Sequence, residues 1–416
     1  MAYHPRIVDG ELAVRLHSAG AVLIEGVKAC GKTSTGLQVA KSILRVDRDP
    51  RVPDLLAADP ALLLEGGTPR LIDEWQEQPE LWNHVRHEVD ERQGSGQFIL
   101  TGSATPEDDA SRHSGAGRFA RITMRPMSLY ESGESTGEVS LAALMRGEEG
   151  RAAVPELRLE AVARTIVRGG WPGSIDLDDD SAALAVRDYL ATIFNVDVPR
   201  VAGGRRDPER VSRLARSLAR HTATEASLST VIADTSSDGE TLAWQTVDDY
   251  LDVLRRAMVV EDQPAWSTHL RSAATLRGAP KRHFVDPSLA AAAVRASSGT
   301  LARDPAALGQ LFESLVVRDL RIYSQALDGA VFHYRDSYGL EVDAIIEAFD
   351  GRWAAIEVKL GPGAVDGAAS SLLKFRSTVD TSKRGEPAFL AVVVPSGFGY
   401  LRSDGVRVVP LTALGP

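Results

Sequence analysis

Residues 21–44, AVLIEGVKACGKTSTGLQVAKSIL, decide how the first part of this chain folds. Ala21-Val22-Leu23-Ile24 is a short apolar run of the kind that forms a strand buried on both faces of a parallel sheet. Gly26-Val27-Lys28-Ala29-Cys30-Gly31-Lys32-Thr33 then fits G-x-x-x-x-G-K-[ST]. Beyond it, Leu37, Ala40, Lys41 and Leu44 recur at helical spacing and predict a helix over 32–44. Strand, glycine-bounded loop and helix form the order in which a phosphate cradle is built. The glycines let backbone N–H groups turn towards an anion, and the helix N-terminus adds partial positive charge. In this reading residues Gly26 to Thr33, with Ser34, hold a nucleotide. Lys32 reaches its β and γ phosphates, and the Thr33 hydroxyl binds Mg²⁺. A plain strand-to-helix turn carrying a surface lysine is the competing reading.

The next motif argues against that competitor. In PRLIDEWQEQPELW, Leu71-Ile72 end a short strand and Asp73-Glu74 follow at its carboxyl end, where open parallel sheets bind their ligands. Asp73 is placed to hold the Mg²⁺ shell and Glu74 to orient an attacking water. A further strand, Phe98-Ile99-Leu100, ends in Thr101, Gly102 and Ser103, and Thr101 and Ser103 are candidates to sense a γ phosphate. Arg118, Arg121 and Arg125 are candidate stabilisers of charge on the leaving phosphate. Cys30 reads as a small residue that fits the loop; its oxidation would block the nucleotide.

The whole chain has 416 residues, 44% hydrophobic and 25% charged, with a net charge of −10. Such a length suggests two to four globular domains. The negative balance excludes a protein that coats nucleic acid over its whole surface, though not a local basic face. One cysteine excludes an internal disulfide and a cysteine zinc site. Without an apolar run long enough to span a membrane, or a signal-like N-terminus, the expected location is the cytoplasm, with no membrane partner. Lysine is scarce, with 7 against 40 arginines. A lysine at a motif position is correspondingly informative.

Residues 126–200 read as helical and irregular. GESTGEVSLAALMRGEEG predicts a charged, glycine-rich loop. Residues 164–194 predict a helix, a tight turn at Gly169-Gly170-Trp171-Pro172 and a long helix led by Asp178, Asp179 and Asp180. Acidic residues suit a helix start; a metal site is the sharper alternative. Arg206, Arg210, Arg213, Arg216 and Arg220 step along one helical face, while Val211, Leu214 and Leu218 line another. Such a stripe suits DNA phosphates, or else a solvated outer face. The next helices, one of them around Thr246–Arg256, and a strand Met258-Val259-Val260 have the rhythm of a winged helix. Asp248, Asp249 and Asp252 on the candidate recognition helix favour a joining role.

A second constellation lies in EVDAIIEAFDGRWAAIEVKLG. Two strands around Asp350-Gly351 predict a hairpin. Glu357 and Lys359, two apart, share a strand face. A three-residue loop, Asp350 to Arg352, pairs Asp343 with Lys359 and leaves Ala344, Ile346 and Ala348 on one apolar side with Ala354, Ile356 and Val358. Upstream, LGQLFESLVVRDLRIY predicts a buried helix whose Glu313 needs a partner. Glu313, Asp343, Glu357 and Lys359 resemble the PD-(D/E)XK nuclease site. There Asp343 and Glu357 would bind Mg²⁺, and Lys359 would hold or deprotonate water. An inert ion-pair cluster is the alternative.

GVKACGKTS, RLIDEWQ, FILTGSA, GRFARITMRPMSLYE and GGWPGSI, with RHFVDPSLA, GQLFESLVVRDL, YGLEVDAIIE and WAAIEVKLG, resemble a family of prokaryotic AAA-type ATP-binding proteins. Its C-terminal domain, described as of unknown function, has a restriction-endonuclease-like core. The resemblance implies ATP binding through residues 26–33 and Asp73. The expected architecture is α/β: a P-loop NTPase core over 1–126, a helical lid over 127–200, a winged-helix-like domain over 201–295, and a restriction-endonuclease-like domain over 296–416. The expected function is a Mg²⁺-dependent ATPase whose nucleotide state controls a nuclease-like domain acting on DNA. The alternatives are a nucleotide-controlled binding module with an inactive core, or a toxin- or defence-type regulator of protein partners.

Overall fold

The computed structural model describes residues 3–103, 114–201, 207–235, 243–268 and 279–416. Five parallel strands open the chain: β1 (Ala21–Gly26), β2 (Ser42–Arg45), β3 (Arg70–Asp73), β4 (Phe98–Gly102) and β5 (Phe119–Met124). Their order across the sheet is β2-β3-β4-β1-β5. Both faces are covered, so the strands carry near-continuous apolar runs. Val22, Ile24, Leu71 and Ile99 join the larger core with the helix Ile7–Ser18, while Leu23, Ile72 and Leu100 pack with Trp75 and Trp82 on the other side. Trp82 stacks on Phe119 at 4.0 Å between ring centres.

The helix expected over 32–44 is shorter, Lys32–Val39. Leu44 lies in β2 instead and is buried. The reason is pairing: Lys41 N–H donates to the Pro69 carbonyl, and Ile43 and Leu44 sit opposite Leu71 and Ile72. Tertiary strand pairing overrides the helical spacing. Within the helix Gly36 packs against Leu71, where a Cβ would lie 3.0 Å from a leucine methyl.

The segment after β5 belongs to the far end of the chain. The region expected as loop contains β6 (Val139–Ser140) and a short helix, Leu141–Met145; β7 (Ala152–Ala153) follows. β6 pairs with the last strand of the protein and β7 with a C-terminal strand. Helices Leu159–Arg168 and Asp179–Thr192 come next, the second running through a π-helical turn, Ile193–Asp197, into Val198–Val201. The aspartate triplet has a local explanation. Asp178 caps the helix by accepting from Ser181 N–H, and Asp179 lies 3.7 Å from Arg164.

Helices Pro208–Arg220, Leu228–Thr235 and Trp244–Arg256 lead to an antiparallel pair, β8 (Val260–Gln263) and β9 (Lys281–Phe284). Thr224, between the first two helices, bridges to Arg282 of β9. The strand expected at Met258 begins two residues later, because Met258 turns the chain with φ of 55°. Of the arginine stripe, Arg206 lies outside the described residues. Arg210 pairs with Asp207, Arg220 reaches Asp234, Arg213 is half-buried and Arg216 is exposed.

The C-terminal part is built on one long helix, Pro305–Gln325, buried along most of its length. Beside it run β10 (Ala330–Arg335), β11 (Glu341–Glu347), β12 (Trp353–Val358), β13 (Phe389–Val394), β14 (Phe398–Leu401) and β15 (Val406–Pro410), with β16 (Leu414–Gly415) closing on β6. The mixed sheet has the order β10-β11-β12-β13-β15-β14-β7, with the helix Val365–Thr378 packed on β11, β12 and β13. Among the described residues no helix is long and apolar enough to cross a membrane.

Two charge networks, the first fully buried and the second partly so, join these parts. Arg318 of the long helix binds Asp286 and Asp319; Asp286 also accepts from Gly170 N–H, and Asp319 from Leu129 N–H. Arg125, just after β5, grips Glu261 of β8 through Nε at 2.9 Å and Nη2 at 2.7 Å, and Arg321 of the long helix reaches the same carboxylate at 3.1 Å.

Candidate functional site

The end of β1 is shaped by what surrounds it. A Cβ on Gly26 would lie 2.2 Å from the Met124 carbonyl oxygen, so the neighbouring strand leaves room only for glycine. Ala29 (φ 61°) and Gly31 (φ 109°) turn the loop through left-handed conformations, costly for most residues and free for glycine. Lys32 is buried, and its Nζ donates to the carbonyls of Gly26 (2.8 Å) and Val27 (2.9 Å). The ammonium group therefore closes the loop on itself. Thr33 Oγ1 donates to Asp73 Oδ1 at 2.6 Å.

Strand order explains why Thr101 joins this group. β4 lies between β1 and β3, with Thr101 opposite both Ile24 and Asp73. Thr101 Oγ1 donates to the same Asp73 oxygen at 2.7 Å and accepts from Glu74 N–H at 3.4 Å. Glu74 itself sits in a left-handed conformation, φ 56°. The Gln76 amide bonds both the Glu74 carboxylate and, at 3.5 Å, Ser103 Oγ. Lys32, Thr33, Asp73, Glu74, Thr101 and Ser103 thus gather at one end of the parallel sheet. These residues fit a nucleotide with Mg²⁺: a glycine cradle, an ammonium group, a hydroxyl and a carboxylate in contact.

The loop is also held from outside. Arg6 donates to the carbonyls of Cys30 and Arg125, both at 2.8 Å, and pairs with Glu131. Lys28 pairs with Asp197 at 3.2 Å, and Tyr189 OH donates to the Lys28 carbonyl. Ser34, exposed, lies in the first turn of the helix, and Cys30 is fully buried within the loop. The three candidate arginines have other partners. Arg118 pairs with Asp90 and stands at the amino end of β5, the wrong end of the sheet for a phosphate. Arg121 pairs with Glu25, and Arg125 with Glu261.

The C-terminal candidates also meet. The hairpin register differs from the expected one: the loop is Phe349 to Gly351, Ala348 N–H donates to the Arg352 carbonyl, and the ladder sets Asp343 level with Glu357 rather than Lys359. Phe349, kept in the strand by its apolar character, is 85% exposed in the turn. Parity is unchanged, so the side chains converge all the same. Lys359 Nζ contacts Glu357 at 2.6 Å and Asp343 at 3.3 Å, and Val358 N–H donates to Asp343 at 2.8 Å. Glu313 is met by a residue that sequence reasoning left aside: Lys281 Nζ lies 2.7 Å from Glu313 and 3.6 Å from Asp343. The scarcity of lysine that makes Lys32 and Lys359 informative applied equally to Lys281.

Burial and the neighbouring Asp343 push Glu313 up to about 8 and Glu357 up to about 7, against the pull of the lysines. With all five groups ionised the cluster carries one excess negative charge, three carboxylates against two ammoniums. A single proton on either glutamate removes it. As arranged, the cluster does not fit a Mg²⁺ site. Each carboxylate is already drawn to an ammonium group, and among the described residues no three acidic, histidine or cysteine side chains are grouped to hold a metal. The expectation of Asp343 and Glu357 as Mg²⁺ ligands meets this geometry and not an open site.

Comparison with known proteins agrees with the first of these two centres. Residues 18–133 match the family described as AAA domain. Residues 159–300 and 308–414 match two families each described as a domain of unknown function, DUF8612 and DUF4143. The first of these two matches runs across residue 200, where a domain boundary was expected. Two uncharacterized mycobacterial proteins, Rv2008c of Mycobacterium tuberculosis and Mb2031c of Mycobacterium bovis, are each 26% identical over 416 residues, spanning 99% of this chain and 84% of the relative. A Walker-type ATPase of Pyrococcus abyssi, PABY2304, superposes with a TM-score of 0.42 and 14% identity over 68% of this chain and 94% of its own. Residues 18–133 are thus similar to the AAA domain family, and the parallel sheet and the loop after β1 agree with that likeness.

Proposed function

We propose that this chain binds ATP with Mg²⁺ at residues 26–34, hydrolyses it, and uses the nucleotide state to control its C-terminal domain. The observation that carries the reading is the single Asp73 oxygen shared by Thr33 and Thr101, beside a lysine that closes the loop. In the liganded state Lys32 exchanges its two carbonyl bonds for phosphate oxygens, and Thr33 and Asp73 hold the metal shell. Mg²⁺ supplies charge neutralisation at the transferred phosphoryl group. Glu74, held by Gln76, orients the attacking water, and Thr101 and Ser103 register the state of the sheet end.

Control of the C-terminal domain runs through side chains already in contact. Met124 lies opposite Gly26 in the β1–β5 ladder, Arg125 follows it, and Glu261 and Arg321 complete a path to the long helix that carries Glu313. We read the C-terminal domain as nuclease-like from the convergence of Glu313, Asp343, Glu357 and Lys359, and DNA is the partner class we assign to it. Capture by Lys281 favours a domain that binds without cutting. The meeting of Glu313, Asp343, Glu357 and Lys359 in one cluster favours the second reading, a domain that cleaves.

The test is ATP turnover with and without DNA, for wild type and Lys32→Ala. Wild type is expected to turn over, faster or slower when DNA is present, and Lys32→Ala to lose turnover. Absent turnover in wild type, or turnover unaffected by Lys32→Ala, overturns the ATPase assignment. Turnover indifferent to DNA overturns the partner.

A further inference from the structure

Lys281 is a lysine delivered to a carboxylate cluster by a different part of the chain. It sits at the start of β9, opposite Gln263 of β8, and only about 5% of its side chain is exposed. Its position is fixed from several sides. Gln263 Nε2 donates to the carbonyls of Phe332 and Asp343, at 2.9 and 3.0 Å, and Gln263 Oε1 faces His283 of β9 at 2.9 Å. His283 also contacts Ser314, the residue after Glu313. Past β8, Trp266 N–H donates to the His333 carbonyl, and the Trp266 indole N–H donates to Glu347 at 2.6 Å. The β8–β9 pair is thus stitched to the sheet that carries Asp343, and Lys281 is a constituent of the cluster, not a passing visitor.

The result is an alternating chain of charge: Glu313, Lys281, Asp343, Lys359, Glu357. Each ammonium spans two carboxylates, and Asp343, in the middle, is shared. A divalent cation satisfies clustered carboxylates by taking several of them at once. Here two monovalent cations do that work, Lys281 buried and Lys359 half-buried. Removing either would leave carboxylates buried without a counter-charge, the condition that favours cation uptake.

We propose that Lys281 is the resident cation of the C-terminal cluster and stands in for a divalent metal, so that the native domain takes up no divalent ion there. This deepens the binding-without-cutting reading and rests on it. It separates this chain from metal-dependent cleavage while leaving the ATP site untouched.

The test uses the full chain and Mn²⁺, followed by electron paramagnetic resonance of the free ion, without nucleotide. Wild type, and Asp343→Asn in the same background, should show the same Mn²⁺ uptake. Lys281→Met should gain a site at least about tenfold tighter than any in wild type, since a nearby positive charge has gone. Lys281→Met combined with Glu313→Gln should lose it again, and Lys281→Arg should behave as wild type. Wild-type Mn²⁺ binding that disappears in Asp343→Asn overturns the proposal, and so does a folded Lys281→Met that gains no site. The wild-type and Asp343→Asn arm decides the matter even where Lys281→Met fails to fold. ATP turnover of the same preparations reports separately on the P-loop: its loss in all of them would undo the ATPase reading, and the Mn²⁺ result would stand.

Discussion

Replacing Glu261 by glutamine tests the bridge between the P-loop domain and the C-terminal helix. The carboxylate accepts from Nε and Nη2 of Arg125 and from Arg321, and only 22% of its side chain is exposed. The isosteric amide removes the charge and turns one acceptor into a donor facing two guanidinium groups, the Arg321 one almost fully buried. Breaking a buried pair typically costs about 3–5 kcal/mol. Partial exposure of Glu261 and Arg125 lowers the expected loss to about 2–3 kcal/mol. For a cooperative unit of roughly 150–250 residues that is a fall of about 4–12 °C in melting temperature. Differential scanning fluorimetry reads it directly, and the cycle with Arg125→Met isolates the pair: the double variant should be markedly less destabilised than the sum of the two singles. A melting temperature within 1–2 °C of wild type, or strict additivity, would refute the bridge. The acid side adds a sign. Burial pushes Glu261 up, but Arg125 and then Arg321 hold it down to about 2. Its stabilisation is therefore complete above the ordinary glutamate value and is lost as pH falls through about 2, a loss the glutamine variant should not show.

The carboxylate cluster has the opposite sign. Burial and Asp343 raise Glu313, so its contribution is full below the ordinary glutamate value and declines as pH rises through about 8; urea unfolding should show stability falling over that window, with a flatter slope in Glu313→Gln. A slope unchanged by the substitution would contradict the assignment. Thr101→Val keeps the shape of a fully buried residue but removes the bond to Asp73. It should cost about 1–2 kcal/mol of stability and slow ATP turnover while binding of a fluorescent ATP analogue persists. Unchanged turnover would remove Thr101 from the mechanism.

What the sequence revealed follows from how local each feature is. The P-loop, Asp73 and the end of β4 declare themselves because strand, turn and helix signals fall within a few residues of the chemistry. The helix after the loop was overextended because helical spacing at Leu37, Ala40, Lys41 and Leu44 carries no information about Pro69, whose carbonyl draws Lys41 into a strand pair. The apolar face of the C-terminal hairpin gives its parity correctly. Its register was displaced because an exposed Phe349 looks like a strand residue. The turn is instead held by Asp350, which accepts from Arg352 N–H and its guanidinium. Lys281 was out of reach for another reason: nothing local ties it to Asp343, 62 residues later, and only the packing of β8 and β9 on the second sheet brings them together.

The two short strands that follow the P-loop domain impose an order of events during synthesis. β7 completes the far edge of the C-terminal sheet, and β6 pairs with residues 414–415. Residues 139–153 must therefore wait for partners that leave the ribosome last. An isolated fragment beginning at residue 296 would emerge with the flank of β14 bare and the closing strand unmatched. Expressed alone, it would present an open strand edge for other chains to join.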